Sequence, residues 1–223
     1  MKIGVTSDLH GYLPEVDECD LLLICGDIMP LSIQFQDKES MEWIQGPFKE
    51  WCLNCGAKHV IFTAGNHDFS LYWHRKELKC NFLDEEISYL NDTILHINGL
   101  TIYGTPWCHE FGNWAFMRDD QELAEKYSNI PNNIDILISH DAPRIANFGS
   151  ILDTSISEEP IECGNTVLAT YIIDRKPKYA FCGHFHSGDH TLARIGYTTL
   201  ANVSYVDEYY NPTNKILYFN YGE

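Results

Sequence analysis

Five short apolar runs in this chain each stop on residues that can ligate a metal or carry a proton. KIGVTS (2–7) runs into Asp8 and His10, and DLLLIC (20–25) into Asp27. HVIFTA (59–64) leads to Asn66, His67 and Asp68, DILISH (135–140) ends on His140, and YAFCG (179–183) precedes His184 and His186. Short aliphatic and β-branched runs bounded by glycine read as buried strands. Every polar set therefore falls just past the C-terminal end of a strand, the edge where α/β sheets place their ligands. Glycines 11, 26, 65 and 183 adjoin them, at points where the chain must turn sharply or approach closely. This pattern restricts the fold to one that gathers five strand ends at a common rim.

The intervening segments complete the picture. KESMEWIQGPFKEWCLNCG (38–56) is amphipathic at helical spacing, with Gly46-Pro47 expected to break or kink it. TILHI (93–97) and LTIYGT (100–105) flank Asn98-Gly99, a hairpin turn signal. Residues 119–130 read as a helix with an acidic first turn, and 164–175 as a helix stopping before Pro177. Strands are expected at 191–196, 197–204 and 215–221. Strand–helix alternation followed by antiparallel hairpins predicts an α/β (α+β) fold, with two mixed β-sheets packed as a sandwich and flanked by helices. No linker, repeat or low-complexity segment interrupts it, so residues 1–223 are expected to form a single domain.

Charge and composition narrow the partners. Fifteen basic against 32 acidic side chains give a net charge of −17, and there is no basic run. Long nucleic acid and anionic membranes are thereby excluded as expected partners, whereas a small phosphorylated substrate can still be drawn to a local cation. No apolar stretch reaches the ~18 residues of a membrane span, and residues 1–11 lack a secretory pattern. A cytoplasmic location is the expectation, with the eight cysteines as free thiols. Cys52 and Cys55 form a lone C-x-x-C in a helical segment and read as packing residues rather than a zinc or redox pair.

Taken singly, each polar set has an ordinary explanation. Asp8 could cap a turn, Asn66-His67-Asp68 could be an Asx-held loop, and His140 could be a satisfied core histidine. Five such coincidences at five strand ends, in order, are not ordinary. Imidazole, carboxylate and one amide oxygen suit divalent Mn, Fe, Zn or Ni, with no thiolate in the set. The candidates outnumber the ligands of one tetrahedral ion and suit two divalent metal ions about 3.5–4 Å apart.

The series D-x-H-G, G-D, G-N-H-D, a lone His after a strand, and G-H-x-H spans residues 6–186 and resembles the calcineurin-like metallophosphoesterase family. The resemblance implies a β-sandwich flanked by helices. It implies that Asp8, His10 and His186 hold one ion, that Asn66, His140 and His184 hold the other, and that Asp27 bridges them. It also implies hydroxide attack on phosphorus, with His67 as general acid or transition-state donor and Asp68 orienting it. Only 18 residues separate Asp8 from Asp27, so an open loop is expected in place of the usual helix. YGTPWCHEFGNWAF (103–116) and SHDAP (139–143) are similar to motifs of a small branch, some of whose members hydrolyse cyclic nucleotides. Trp107 and Trp114 then form either a packed loop or a stacking wall, and His109 and Arg144 are further substrate-contact candidates. A phosphodiester such as a cyclic nucleotide is the expected substrate. A phosphomonoesterase or serine/threonine protein phosphatase, and a catalytically silent metal-binding scaffold, are the alternatives.

Overall fold

The computed structural model describes residues 1–151 and 159–222. Strands β1 (Lys2–Thr6), β2 (Leu21–Cys25), β3 (Val60–Thr63) and β4 (Ile87–Tyr89) lie parallel in one sheet. A second sheet holds β5 (Thr93–Ile97), β6 (Leu100–Thr105), β7 (Ile136–Ser139), β8 (Tyr179–Cys182), β9 (Ala193–Ile195) and β10 (Thr198–Asn202). The last strand, β11 (Leu217–Asn220), returns to the first sheet and pairs antiparallel with β1. The sheet orders are β11-β1-β2-β3-β4 and β9-β10-β8-β7-β6-β5. Both are mixed: β11, β5 and β9 are the antiparallel edge strands.

Register levels the strand ends. Thr6 pairs with Ile24, and Cys25 with Thr63. On the other sheet Thr105 pairs with Ser139, and Phe181 with Ile138. Side chains alternate between faces with period two. Ile3, Val5, Leu21 and Leu23 turn toward Ile138 and Phe181 of the opposite sheet, in one buried cluster. Leu22, Ile24 and Phe62 face the other way, into a cluster shared with the helical layer. Burial on both faces explains why these strands are continuous apolar runs rather than alternating ones.

The helices are α1 (Asp37–Trp43), α2 (Lys49–Asn54), α3 (Phe69–Trp73), α4 (Asp120–Tyr127) and α5 (Thr166–Arg175). At Gly46-Pro47, where a break or kink is expected, the chain forms a π turn, Ile44–Phe48, that joins α1 to α2. A wider turn accommodates proline's missing N–H without ending the helix. Phe48 at its end packs edge-on against Phe62, ring centroids 5.3 Å apart. The N-cap side chains of α4 and α5 are Asp119 and Asn165, which accept from Glu122 N and Leu168 N at 2.9 Å. Residues 8–20 carry no helix, as the short spacing predicts. Strand β4 is an addition: its three residues are too few for a periodic signal.

The inter-sheet core should dominate stability. Phe181→Ala is expected to cost about 3–5 kcal/mol, against no more than about 0.5 kcal/mol for the exposed Ile173→Ala. Urea unfolding of the two metal-free variants checks the difference.

Candidate metal centre

Both sheets deliver polar side chains to one rim. Asp27 Oδ2, after β2, lies 3.4 Å from His140 Nε2 after β7. It lies 3.8 Å from His10 Nε2 after β1, and 3.9 Å from His67 Nε2 after β3. Its partner oxygen accepts the His67 backbone N–H at 2.8 Å. Asp8 Oδ1 sits 3.5 Å from His186 Nε2, while Asp8 also accepts from Ser204 Oγ at 2.8 Å and from His184 N at 3.1 Å. Asn66 Oδ1 is 2.9 Å from His140 Nε2. His184 joins them with its ring centroid 5.1 Å from that of His140.

Outer contacts aim these rings. His140 Nδ1 is held by the Cys25 carbonyl at 2.8 Å, and His186 Nδ1 by the Asp207 carbonyl at 2.9 Å. Each bond leaves Nε2 facing the centre, the arrangement expected of imidazole ligands. Four of these residues need left-handed backbone: Asp8 (φ 54°), His10 (φ 42°), Asp27 (φ 52°) and His184 (φ 66°). Close approach needs glycine too: a Cβ on Gly65 would collide with Asp27 Oδ1, and one on Gly183 with Asp8 Oδ2.

The donor set fits divalent cations. Both ring nitrogens of His10 are buried with no hydrogen-bond partner among the described residues, a costly arrangement unless an ion fills the space. One ligand atom each from Asp8, His10 and His186 lie within 4.8 Å of one another, and so do those of Asp8, Asp27 and His140. A third such group is Cys108, His140 and His184. The protein's own electrostatics imitate a cation. Burial disfavours a charged His140, yet Asp27 outweighs it and raises the ring to about 10. His186 rises to about 9 against its burial, through Asp8. Burial drives His10 down to about 4, and burial with the neighbouring His140 does the same to His184. Asp8 and Asp27 stay below the usual carboxylate range because these imidazoles outweigh their burial.

Two expectations are corrected. Asp68 does not touch the His67 ring: its carboxylate accepts from the backbone of Gly65 (2.8 Å), Met29 (3.0 Å) and Ile28 (3.4 Å), tying the loops after β2 and β3 together. The side chain on His67 Nδ1 is Gln34, at 2.6 Å. Trp107 is 2% exposed and points into the core, with Nε1 donating to Asp92 at 2.6 Å, so it offers no stacking face. The other substrate-contact candidates are placed differently. Trp114 covers His67, ring centroids 4.6 Å apart, next to the exposed Phe35. His109 is three-quarters buried, held by Asp141 at 3.0 Å and stacked on Phe185. Arg144 is exposed on the loop after His140 and makes none of the centre's contacts. Tyr210, which no motif marked, packs edge-on against His10 and His186. All eight cysteines are free. Among the described residues no helix is long and apolar enough to cross a membrane.

A family model described as calcineurin-like phosphoesterase matches residues 1–188. The UPF0046 protein T07D4.2 of Caenorhabditis elegans is 32% identical over 164 residues, 73% of this chain and 38% of that protein. The human metallophosphoesterase domain-containing protein 1 is 28% identical over 218 residues, 87% of this chain and 62% of that protein. The chain thus spans less than two thirds of these relatives. The crystal structure of TT1561 from Thermus thermophilus superposes with a TM-score of 0.61 at 13% identity, covering 90% of this chain and 88% of the other. The chain belongs to the calcineurin-like phosphoesterase family.

The raised imidazoles set a pH dependence for the metal-free protein. Their stabilisation is complete below the ordinary histidine value of 6.5 and is lost as pH climbs through 9 and 10. Melting temperature in chelator should therefore fall between pH 7 and 10. Added divalent cation, which needs neutral imidazoles, should remove that decline. Differential scanning fluorimetry across the range checks both.

Proposed function

We propose that this family member is a phosphoesterase hydrolysing a phosphodiester, a nucleotide or cyclic nucleotide among its substrates, at a pair of divalent cations. The carrying observation is Asp27, whose Oδ2 lies within 3.8 Å of both His10 Nε2 and His140 Nε2. In this reading Asp8, His10 and His186 hold one cation, Asn66, His140 and His184 the other, and Asp27 is shared. Mn, Fe, Zn or Ni suits these donors. When bound, the pair offsets phosphate charge and makes water a nucleophile near neutral pH.

The remaining work falls to side chains. In this reading His67 meets the phosphoryl group, which the 3.9 Å between its Nε2 and Asp27 Oδ2 supports. Gln34 fixes its Nδ1. Gln34 is neutral, so it orients the ring without raising its proton affinity, and burial lowers that affinity. The ring becomes cationic when an anion arrives beside it, which suits stabilising charge on the phosphoryl oxygens or donating to the leaving oxygen. Asp68 acts on the loops rather than the proton. Trp114 and Tyr210 both border His67, and with the exposed Phe35 and Phe111 they favour an aromatic leaving group or base. The free thiols support a cytoplasmic setting.

Assays with added Mn should show bis-p-nitrophenyl phosphate turned over faster than p-nitrophenyl phosphate. The reverse order supports a phosphomonoesterase, and no turnover of either by metal-loaded protein supports a scaffold. His67→Ala should keep its metal and lose about 100-fold or more in kcat, whereas Asp27→Ala should fail to hold two ions.

Gln34 and Asp68 separate cleanly. Gln34→Ala should lower kcat about tenfold with melting unchanged, a share of the general acid–base contribution. Asp68→Ala should cost about 1–3 kcal/mol of stability by stranding buried N–H groups. Metal analysis, steady-state kinetics and urea melts together check the assignments.

A further inference from the structure

We propose that the Cys108 thiolate is a ligand of the cation held by Asn66, His140 and His184. This rests on the two-cation reading above and adds a donor that the strand-end pattern omits. The sulfur of Cys108 and one ring nitrogen each from His140 and His184 all lie within 4.8 Å of one another. A single ion with bonds of about 2.0–2.3 Å to nitrogen and sulfur spans such a group after small side-chain adjustments. Cys108 is the one cysteine that joins such a group among the described residues.

The backbone fixes this thiol firmly. Residues Cys108–His109 form a short ladder with Met117–Arg118, and Cys108 N donates to the Phe116 carbonyl at 3.0 Å. The next residue is pinned through His109 N to Asp141 Oδ2 at 2.8 Å. The side chain is fully buried, and in the metal-free protein its thiol donates to the Pro106 carbonyl at 3.5 Å. A packing thiol needs only apolar neighbours; this one faces two imidazoles. Burial and the carboxylates of Asp141 and Asp27 push the free thiol up, so the thiolate forms only with the cation; the charge balance of the two half-sites favours that exchange. The half-site of Asp8, His10 and His186 has its own carboxylate, while Asn66, His140 and His184 are all neutral donors and share only Asp27. A thiolate gives each cation one anion of its own, and its proton leaves to solvent as the metal binds. Sulfur also biases the site toward Zn, Fe(II) or Co over Mg or Mn.

X-ray absorption of the zinc-loaded full chain tests this on the unaltered protein. The expected result is two zinc ions per chain and a sulfur scatterer at about 2.3 Å, roughly one sulfur per two zinc ions. Cobalt loading should give a sulfur-to-metal charge-transfer band that is lost in Cys108→Ser and kept in the Cys52→Ser/Cys55→Ser double variant. Two zinc ions with only nitrogen and oxygen neighbours overturn the thiolate and leave the two-cation reading standing. A sulfur signal that persists in Cys108→Ser overturns it too. Failure to bind two ions removes both readings.

Discussion

Three imidazole nitrogens crowd around one buried carboxylate oxygen, Asp27 Oδ2, at 3.4–3.9 Å. Burying a carboxylate is unfavourable unless charge and hydrogen bonds compensate. Compensation here comes from three separate strand ends and from the His67 backbone N–H. The oxygen is tolerable only when β1, β2, β3 and β7 finish level with one another. The two-sheet core enforces that alignment: Ile3, Leu23, Ile138 and Phe181 lock the sheets face to face. Packing and site are therefore one problem, since a shift between the sheets moves His140 relative to Asp27.

The same geometry explains what the chain already announces in its order. Strands β1, β2, β3, β7 and β8 are buried on both faces, so each appears as an apolar run, and each run stops at the rim. Asp8, His10, Asp27, Asn66, His67, His140, His184 and His186 stand out because strand and ligand are contiguous in the chain. Gln34, Tyr210 and Cys108 do not. They come from connecting segments whose path depends on tertiary packing, and nothing local points them at the rim. Asp68 misleads for a related reason. It follows His67 in the chain, but its carboxylate turns back to the Gly65 and Met29 amides. The π turn at Gly46-Pro47 shows tertiary packing overriding a local breaker, since Phe48 is held against Phe62.

For a chain of net charge −17 to take the proposed phosphoester substrate, local electrostatics must differ from global. Within the rim the imidazoles already tilt the balance: His140 and His186 hold protons far above the ordinary histidine range. Those protons offset the Asp27 and Asp8 charge that cations would offset in the proposed enzyme. In the proposed arrangement the half around Asp8 would offer nitrogen and oxygen donors and the half beside Cys108 would add sulfur, so the two need not prefer the same element.

Left-handed backbone at Asp8, His10, Asp27 and His184 has a final implication. Each such non-glycine residue stores about 1 kcal/mol or more of conformational strain. Glycine would relax every one of them. Directed evolution for heat resistance alone, run under chelation, would be rewarded for erasing these four side chains, and the hardiest descendants would be inert.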